Sequence, residues 1–464
     1  MKKRSDIITF VWNREVFKLK TIGIIGFGAS AIGFVQGLID SGKIDKYGIT
    51  IFERGRDHMH NTISGVRMDG KIFISRNMGG DLHIPADIQA KIVEFYLLHS
   101  GFKPSMNDRR NIIQYLRSFE KDGKKIEFGE SFSNEEVYRN FYHYGFEPVK
   151  AYFFHLGTDV LKQTNTSIYS YFSSFKNIDF SFNTIVQDVQ ISSPFKVMTN
   201  HGEYFFDELV IAVGRSGHSL MERIKKQYPD LVSENYYVDI GVRYELPDHV
   251  MERYSDMYEV KVRYKTRTGY MCRLFCQNPS GRVTLEKYED FTTVNGFSDT
   301  YQKTENTNFA VLVTTRFTEP FKDPTGYGKN LAKLANILAG DDRKVLLQTY
   351  GDFKEHRRTK RLSRVYPTLD ENSFILGDAN LVFPSKIRES IIDFIENLNR
   401  VIDGVSYFDN LLYAVEVKFY SNKFNNNIVE NLHVIGDCSG WTRSIQYATS
   451  MGYMHACSKT TSFS

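Results

Sequence analysis

Apolar and polar positions divide the chain into segments of two kinds. Thr21 to Ile25 is an unbroken apolar run that predicts a short strand buried on both faces, and Ala29 to Ile39 predicts a helix. Between them lies Gly26-Phe27-Gly28-Ala29-Ser30-Ala31, a G-x-G-x-x-A turn. A second strand is expected over Gly48 to Phe52, ending at Glu53. Further strands are expected within Ile178 to Val189, at Pro194 to Met198 with a hairpin at Asn200-His201-Gly202, and at Leu209 to Val213 before Gly214. Helical periodicity marks Pro85 to Leu98 and Arg109 to Phe119, and Ala151 to Leu161 passes from an aromatic strand into a helix capped near Thr158 or Asp159.

From His218 the pattern changes. Strands of a mixed sheet are predicted at Ile240 to Leu246, Tyr258 to Thr266, Arg273 to Gln277 and Asn308 to Phe317, with helices at Gly328 to Ala339 and Ser385 to Val401. The chain then closes on a buried strand, Leu432 to Ile435, a Gly436-Asp437 turn and a helix over Thr442 to Ala456. These patterns predict an α/β protein of two units. A discontinuous Rossmann-like domain takes residues 1–217 plus 402–464, with a helical insertion at about 81–150, and an inserted α+β mixed-sheet domain takes 218–401.

The turns carry the chemistry. Gly26 permits the tight turn, Gly28 lets backbone approach a pyrophosphate, and Ala31 lets helix lie close to strand, so a dinucleotide's phosphates can rest on free N–H groups. Glu53 stands where an acid accepts from ribose hydroxyls, and it disfavours a 2′-phosphate at that site. At the other end, Asp437 can hold a ribityl hydroxyl, and the helix behind Thr442, Arg443 and Ser444 can direct positive dipole at the flavin ring, which predicts FAD. Ala29, Ser30, Arg54, Asn77, Gly79, Gly80, Val186, Val213, Gly214 and Arg215 complete the cofactor-binding set.

Composition narrows the class. With 464 residues, a net charge of +4 and 25% charged residues, the chain gives no electrostatic case for nucleic acid or an anionic membrane. Four cysteines are too few for a disulfide framework, and no metal-ligand spacing is present, so a cytoplasmic protein acting on a small molecule is expected. Thr21 to Ile39 approaches membrane-span length, but five glycines within it favour strand, turn and helix.

The chain resembles the bacterial FAD-dependent family usually described as NAD(FAD)-utilising dehydrogenases. The resemblance runs through GFGASA (Gly26 to Ala31) with Glu53, NMGG (Asn77 to Gly80), HLGTDVL (His155 to Leu161), AVGRSGH (Ala212 to His218), IGVRYELP (Ile240 to Pro247), YAVEVKFYS (Tyr413 to Ser421) and GDCSGWTRSI (Gly436 to Ile445). It implies a glutathione-reductase-like flavoprotein fold with non-covalent FAD. Two positions depart from it. Relatives carry C-x-C-P-G-G where this chain has CQNPSG (Cys276 to Gly281), which removes the second thiol at Asn278, and Cys438 stands where relatives carry glycine.

The expected reaction is hydride transfer between flavin N5 and a small substrate under the inserted domain, with NAD(P)H as a transient electron donor. Arg443 and Cys276 are the catalytic candidates, and Arg215, Glu416, Lys418 and Tyr420 are further substrate-facing groups. A flavin-dependent rearrangement without net redox and a redox-sensing flavoprotein are the alternatives.

Overall fold

The computed structural model describes residues 19–58, 70–75, 78–233, 235–257, 259–288, 290–299, 302–318, 320–321 and 323–457. Residues 1–18 and the candidate Asn77 lie outside them.

The apolar strand Lys20–Ile25 is the middle of a five-stranded parallel sheet, in the order Ile178–Ser181, Tyr47–Phe52, Lys20–Ile25, Glu208–Ile211, Leu432–Val434. Segments distant in sequence therefore make one sheet, with Ile25 opposite Phe52 on one side and Ile211 on the other. One face buries Ile22, Ile24 and Val210 under helices that include Ala29–Asp40, Ala86–His99, Thr158–Ser173 and Ile445–Cys457. The other face buries Ile25, Phe52 and Ile211 under a three-stranded antiparallel sheet (Val186–Gln190, Phe195–Thr199, Gly202–Phe206) and the helix His218–Gln227. The two strand runs expected inside Ile178 to Val189 thus belong to different sheets.

The helices Ala29–Asp40 and Ile445–Cys457 cross with almost no side chain between them. A Cβ on Gly33 would lie 1.8 Å from the Thr449 carbonyl oxygen, and one on Gly452 would lie 2.0 Å from that of Ser30. Glycine at both places lets the two ends of the chain pack backbone against backbone.

The second unit is an eight-stranded mixed sheet, in the order Phe374–Leu376, Val345–Thr349, Leu411–Phe419, Tyr237–Pro247, Asn306–Arg316, Met271–Asn278, Val262–Lys265, Phe146–Pro148. Its apolar face, with Val238, Ile240, Val242 and Tyr244 fully buried, packs against Pro324–Ala339 and Ser385–Leu398. Both helices fall close to their expected spans, with Asp323 capping the first through the Gly326 N–H.

Three expectations need correction. Leu411–Phe419, assigned above to the Rossmann-like domain, pairs antiparallel with Tyr237–Pro247 and Val345–Thr349, because a strand buried on both faces from Leu411 to Val417 belongs between two others. Phe146–Pro148 crosses the other way, leaving the 81–150 segment to pair with Val262–Lys265. That segment is also not simply helical: besides Ala86–His99, Ile112–Arg117 and Glu135–His143 it holds five short strands.

Candidate functional site

The first strand turns through Gly26 at φ +95°, whose N–H donates to the Phe52 carbonyl at 2.8 Å. A Cβ there would stand 2.7 Å from the Ala212 carbonyl oxygen, so glycine is required. Gly28 is the N-cap of Ala29–Asp40 and offers no side chain to its N–H groups, and no acid occupies the first turn. The helix start is therefore left with unpaired donors, which suits an anion. Ser30 and Ala31 are buried, and Ser30 Oγ donates to the Ile435 carbonyl at 3.4 Å. Gly436, at φ +79°, comes so close that a Cβ on it would be 2.5 Å from Ser30 Oγ. The two glycine turns from opposite ends of the chain meet here.

Glu53 is buried and fixed by backbone: Oε2 accepts from the Phe27 N–H at 3.0 Å and Oε1 from the Gly55 N–H at 2.8 Å. Each oxygen keeps further accepting capacity. Gly26, Gly28, Glu53, Arg54, Val186 and Val213 line one cavity of about 820 Å³, which extends to His218 at the start of the helix His218–Gln227 and to Lys287, Tyr288, Phe291, Lys329 and Phe419 of the other unit. Ala29 faces a small adjoining hollow, and Gly214 and Arg215 line another beside Tyr420 and Cys438.

The Gly79-Gly80 turn is paired with the segment before the last helix. Gly80 bridges Thr442, the Arg443 N–H donates to the Gly79 carbonyl at 2.7 Å, and a Cβ on Gly80 would meet the Trp441 carbonyl oxygen at 2.2 Å. Ile445–Cys457 begins three residues later than expected, with Ser444 Oγ accepting from the Tyr447 N–H at 3.3 Å in the first turn. Asp437 lies 3.3 Å from Arg215 Nε. Burial raises the Asp437 pKa, while the Arg215 and Arg443 cations oppose the rise.

Behind Arg215 runs a buried series of alternating charges. Burial works against the Arg215 charge, but Asp437 and Glu286 outweigh it and raise its pKa. Glu286 is 3.5 Å from Lys418 Nζ, Lys418 is 3.1 Å from Glu416, and Glu416 is 3.6 Å from Arg243 Nη1. Arg243 and Glu416 are fully buried, and Arg243 Nη1 and both Glu416 oxygens have no hydrogen-bond partner among the described residues. Arg243 also donates from Nη2 to the Cys276 carbonyl at 2.8 Å.

Cys276 sits in a bulge between Phe275 and Asn278 at φ +57°, its N–H donating to Glu259 Oε1 at 2.9 Å. Cys272, four residues earlier, is fully buried in the core. Cys438 is a packed thiol, donating to the Ile435 carbonyl at 3.2 Å, its pKa pushed up to about 12 by burial. Arg443 is half-exposed, stacks on Tyr420 at 4.6 Å and lies 3.7 Å from Asp81. Tyr420 in turn donates to Asp239 at 2.7 Å and accepts from Arg273 at 2.8 Å.

Sequence reasoning missed Arg243, Glu286, Asp239, Arg273 and Lys261. The last donates to Met78 Sδ at 2.8 Å, and burial lowers its pKa to about 8. A signal existed in YVDIGVRYELP, whose polar positions Asp239, Arg243 and Glu245 alternate with apolar ones, all of them fully buried. Among the described residues no cluster of His, Cys, Asp and Glu could hold a metal ion, and no helix is long and apolar enough to cross a membrane.

No curated protein matches the chain. Among solved structures, 2,6-dihydroxypyridine-3-hydroxylase from Arthrobacter nicotinovorans aligns at 9% identity and TM-score 0.40, over 95% of this chain and 82% of its own. Glycine oxidase from Geobacillus kaustophilus aligns at 10% identity and TM-score 0.36, over 94% of each chain. At such scores neither likeness carries an activity over. Residues 239–419, the span from the buried Asp239 to the end of the Leu411–Phe419 strand, match the family described as FAD-dependent protein, C-terminal domain-like.

Proposed function

We propose that the protein is an FAD-dependent oxidoreductase exchanging a hydride between flavin N5 and a small molecule held under the polar face of the eight-stranded sheet. The observation that carries this reading is the convergence of Gly26, Gly28, Glu53, Arg54, Val186 and Val213, from separated segments, on one cavity of about 820 Å³. The uncapped helix start beside Gly28 fits the cofactor's pyrophosphate, and Glu53 fits its ribose. The match of residues 239–419 to an FAD-dependent family supports the same cofactor.

When bound, FAD supplies a two-electron centre at N5. The chain's own residues hold and orient. Asp437, fixed beside Arg215, would be the acceptor for a ribityl hydroxyl, and the start of the helix Ile445–Cys457, behind Thr442, Arg443 and Ser444, would offer its N–H groups to the flavin. Arg443, half-exposed over Tyr420, anchors a substrate carboxylate. Cys276 is the second candidate at the substrate, held at its bulge by Glu259 and Arg243. A reduced nicotinamide nucleotide is the transient electron donor.

The test is the visible spectrum of the purified protein, before and after anaerobic stopped-flow mixing with NADH and NADPH. An oxidised-flavin spectrum bleached by a nucleotide is expected. No flavin after reconstitution with FAD would overturn the reading.

A further inference from the structure

Resting on the flavin reading, we propose that the outer part of the same cavity binds a nicotinamide dinucleotide carrying a 2′-phosphate, NADP(H) in preference to NAD(H). The cavity has two dissimilar parts. The wall made by the parallel sheet carries Glu53, an acid that repels a 2′-phosphate, beside Arg54. Further along the cavity come three more cations, Arg223 on the helix His218–Gln227 and Lys287 and Lys329 on the other unit, none with an ion pair among the described residues.

Three unpaired cations exceed what a pyrophosphate alone would neutralise. A phosphate monoester adds about −1.5 to −2 charge at neutral pH. Besides Glu53, Asp290 is the one acid among the described lining residues; Lys333 engages it at 2.6 Å, and Lys329 acts on it from farther off. Next to the cations stands an aromatic surface. Tyr288 and Phe291 stack at 4.4 Å, and Phe419 meets their edges at 5.7 and 6.0 Å. His218 lies over Phe419 at 6.5 Å, and burial with the Lys329 charge lowers its pKa to about 4, so its ring is neutral at pH 7. Planar rings beside cations suit a ligand with an aromatic base and phosphates.

The arrangement assigns the two nucleotides to different parts of the cavity: FAD to the ribose site at Glu53, NADP(H) to the cations Arg223, Lys287 and Lys329. Lys287 is exposed and Lys329 half-buried, and neither forms an ion pair among the described residues, so their removal does not threaten the fold.

The experiment is calorimetric titration of the purified protein with NADP⁺ and NAD⁺, with bound FAD measured by absorbance in the same samples. NADP⁺ is expected to bind at least about tenfold tighter than NAD⁺, a difference of about 1.4 kcal/mol. In Lys287→Ala/Lys329→Ala that preference is expected to vanish with FAD content unchanged. Equal affinities in FAD-loaded protein would overturn this inference alone. A double variant that loses FAD while still preferring NADP⁺ would overturn it too, since the lysines would then serve the flavin. Discrimination through these lysines in a protein that takes up no FAD would sink the flavin reading and leave the nucleotide preference standing.

Discussion

Glu53 joins the turn after the first strand to the end of the second, because its two oxygens accept from the N–H groups of Phe27 and Gly55. Glu53→Gln keeps one accepting oxygen and turns an NH₂ toward a backbone donor. It is expected to cost about 1–3 kcal/mol in denaturant unfolding and to weaken FAD binding, read by flavin fluorescence on titration. A wild-type FAD affinity in this variant would remove Glu53 from the cofactor site. His455 lies against His433, their Nδ1 atoms 3.3 Å apart, and burial with the His433 charge lowers its pKa to about 3. The unfolded chain therefore binds a proton near pH 6.5 that the folded chain refuses until about pH 3. This contribution to stability is complete above about pH 6.5 and falls by up to about 1.4 kcal/mol per pH unit toward acid. His455→Gln is expected to flatten that slope in urea melts between pH 7 and 5.

At the scale of elements, the crossing of Ala29–Asp40 with Ile445–Cys457 sets where both glycine turns stand. Gly33→Ala or Gly452→Ala places a methyl within 2.0 Å of a carbonyl oxygen on the facing helix. Each is expected to destabilise by about 3 kcal/mol or more and to lower flavin content, since the helices must separate at the end that faces the cavity. Gly48→Ala, where nothing lies within 4 Å, is the control and is expected to change unfolding by no more than about 0.5 kcal/mol. Equal losses in all three variants would remove the crossing from its role. Register matters equally in Tyr237–Pro247, where a shift by one residue would exchange Arg243 for an apolar neighbour.

At the scale of the molecule, the polar face of the eight-stranded sheet is covered by the two-stranded sheet Arg282–Lys287 and Thr292–Phe297, where Gly296 lies against Arg243, and charges are held there only because they alternate. Burial works against the Lys418 charge, yet Glu416 and Glu286 outweigh it and raise its pKa. Lys418→Met leaves the fully buried Glu416 with Arg243 at 3.6 Å as its remaining cation. It is expected to destabilise by about 3–5 kcal/mol. Arg443→Ala, at a half-exposed side chain, is expected to stay within about 0.5 kcal/mol. Thermal melts of both variants check the contrast, and a stable Lys418→Met would mean that the buried series does not depend on its central cation.

The sequence by itself determined the local pieces: the strand, turn and helix at Lys20 to Asp40, the acid at Glu53 and the Gly436-Asp437 turn, because backbone geometry and apolar period are written in neighbouring residues. The helix expected over Gly328 to Ala339 was legible for the same reason, although its first turn at Pro324 was not. Only the tertiary structure decided what those pieces face. YVDIGVRYELP reads as a strand with one polar side, yet Asp239, Arg243 and Glu245 are fully buried because a second layer closes over them. Leu411–Phe419 and Phe146–Pro148 joined the larger sheet because strand pairing is chosen by partners distant in sequence, which no local period encodes. The cations Arg223, Lys287 and Lys329 came to one cavity from three separate elements and had no motif to announce them.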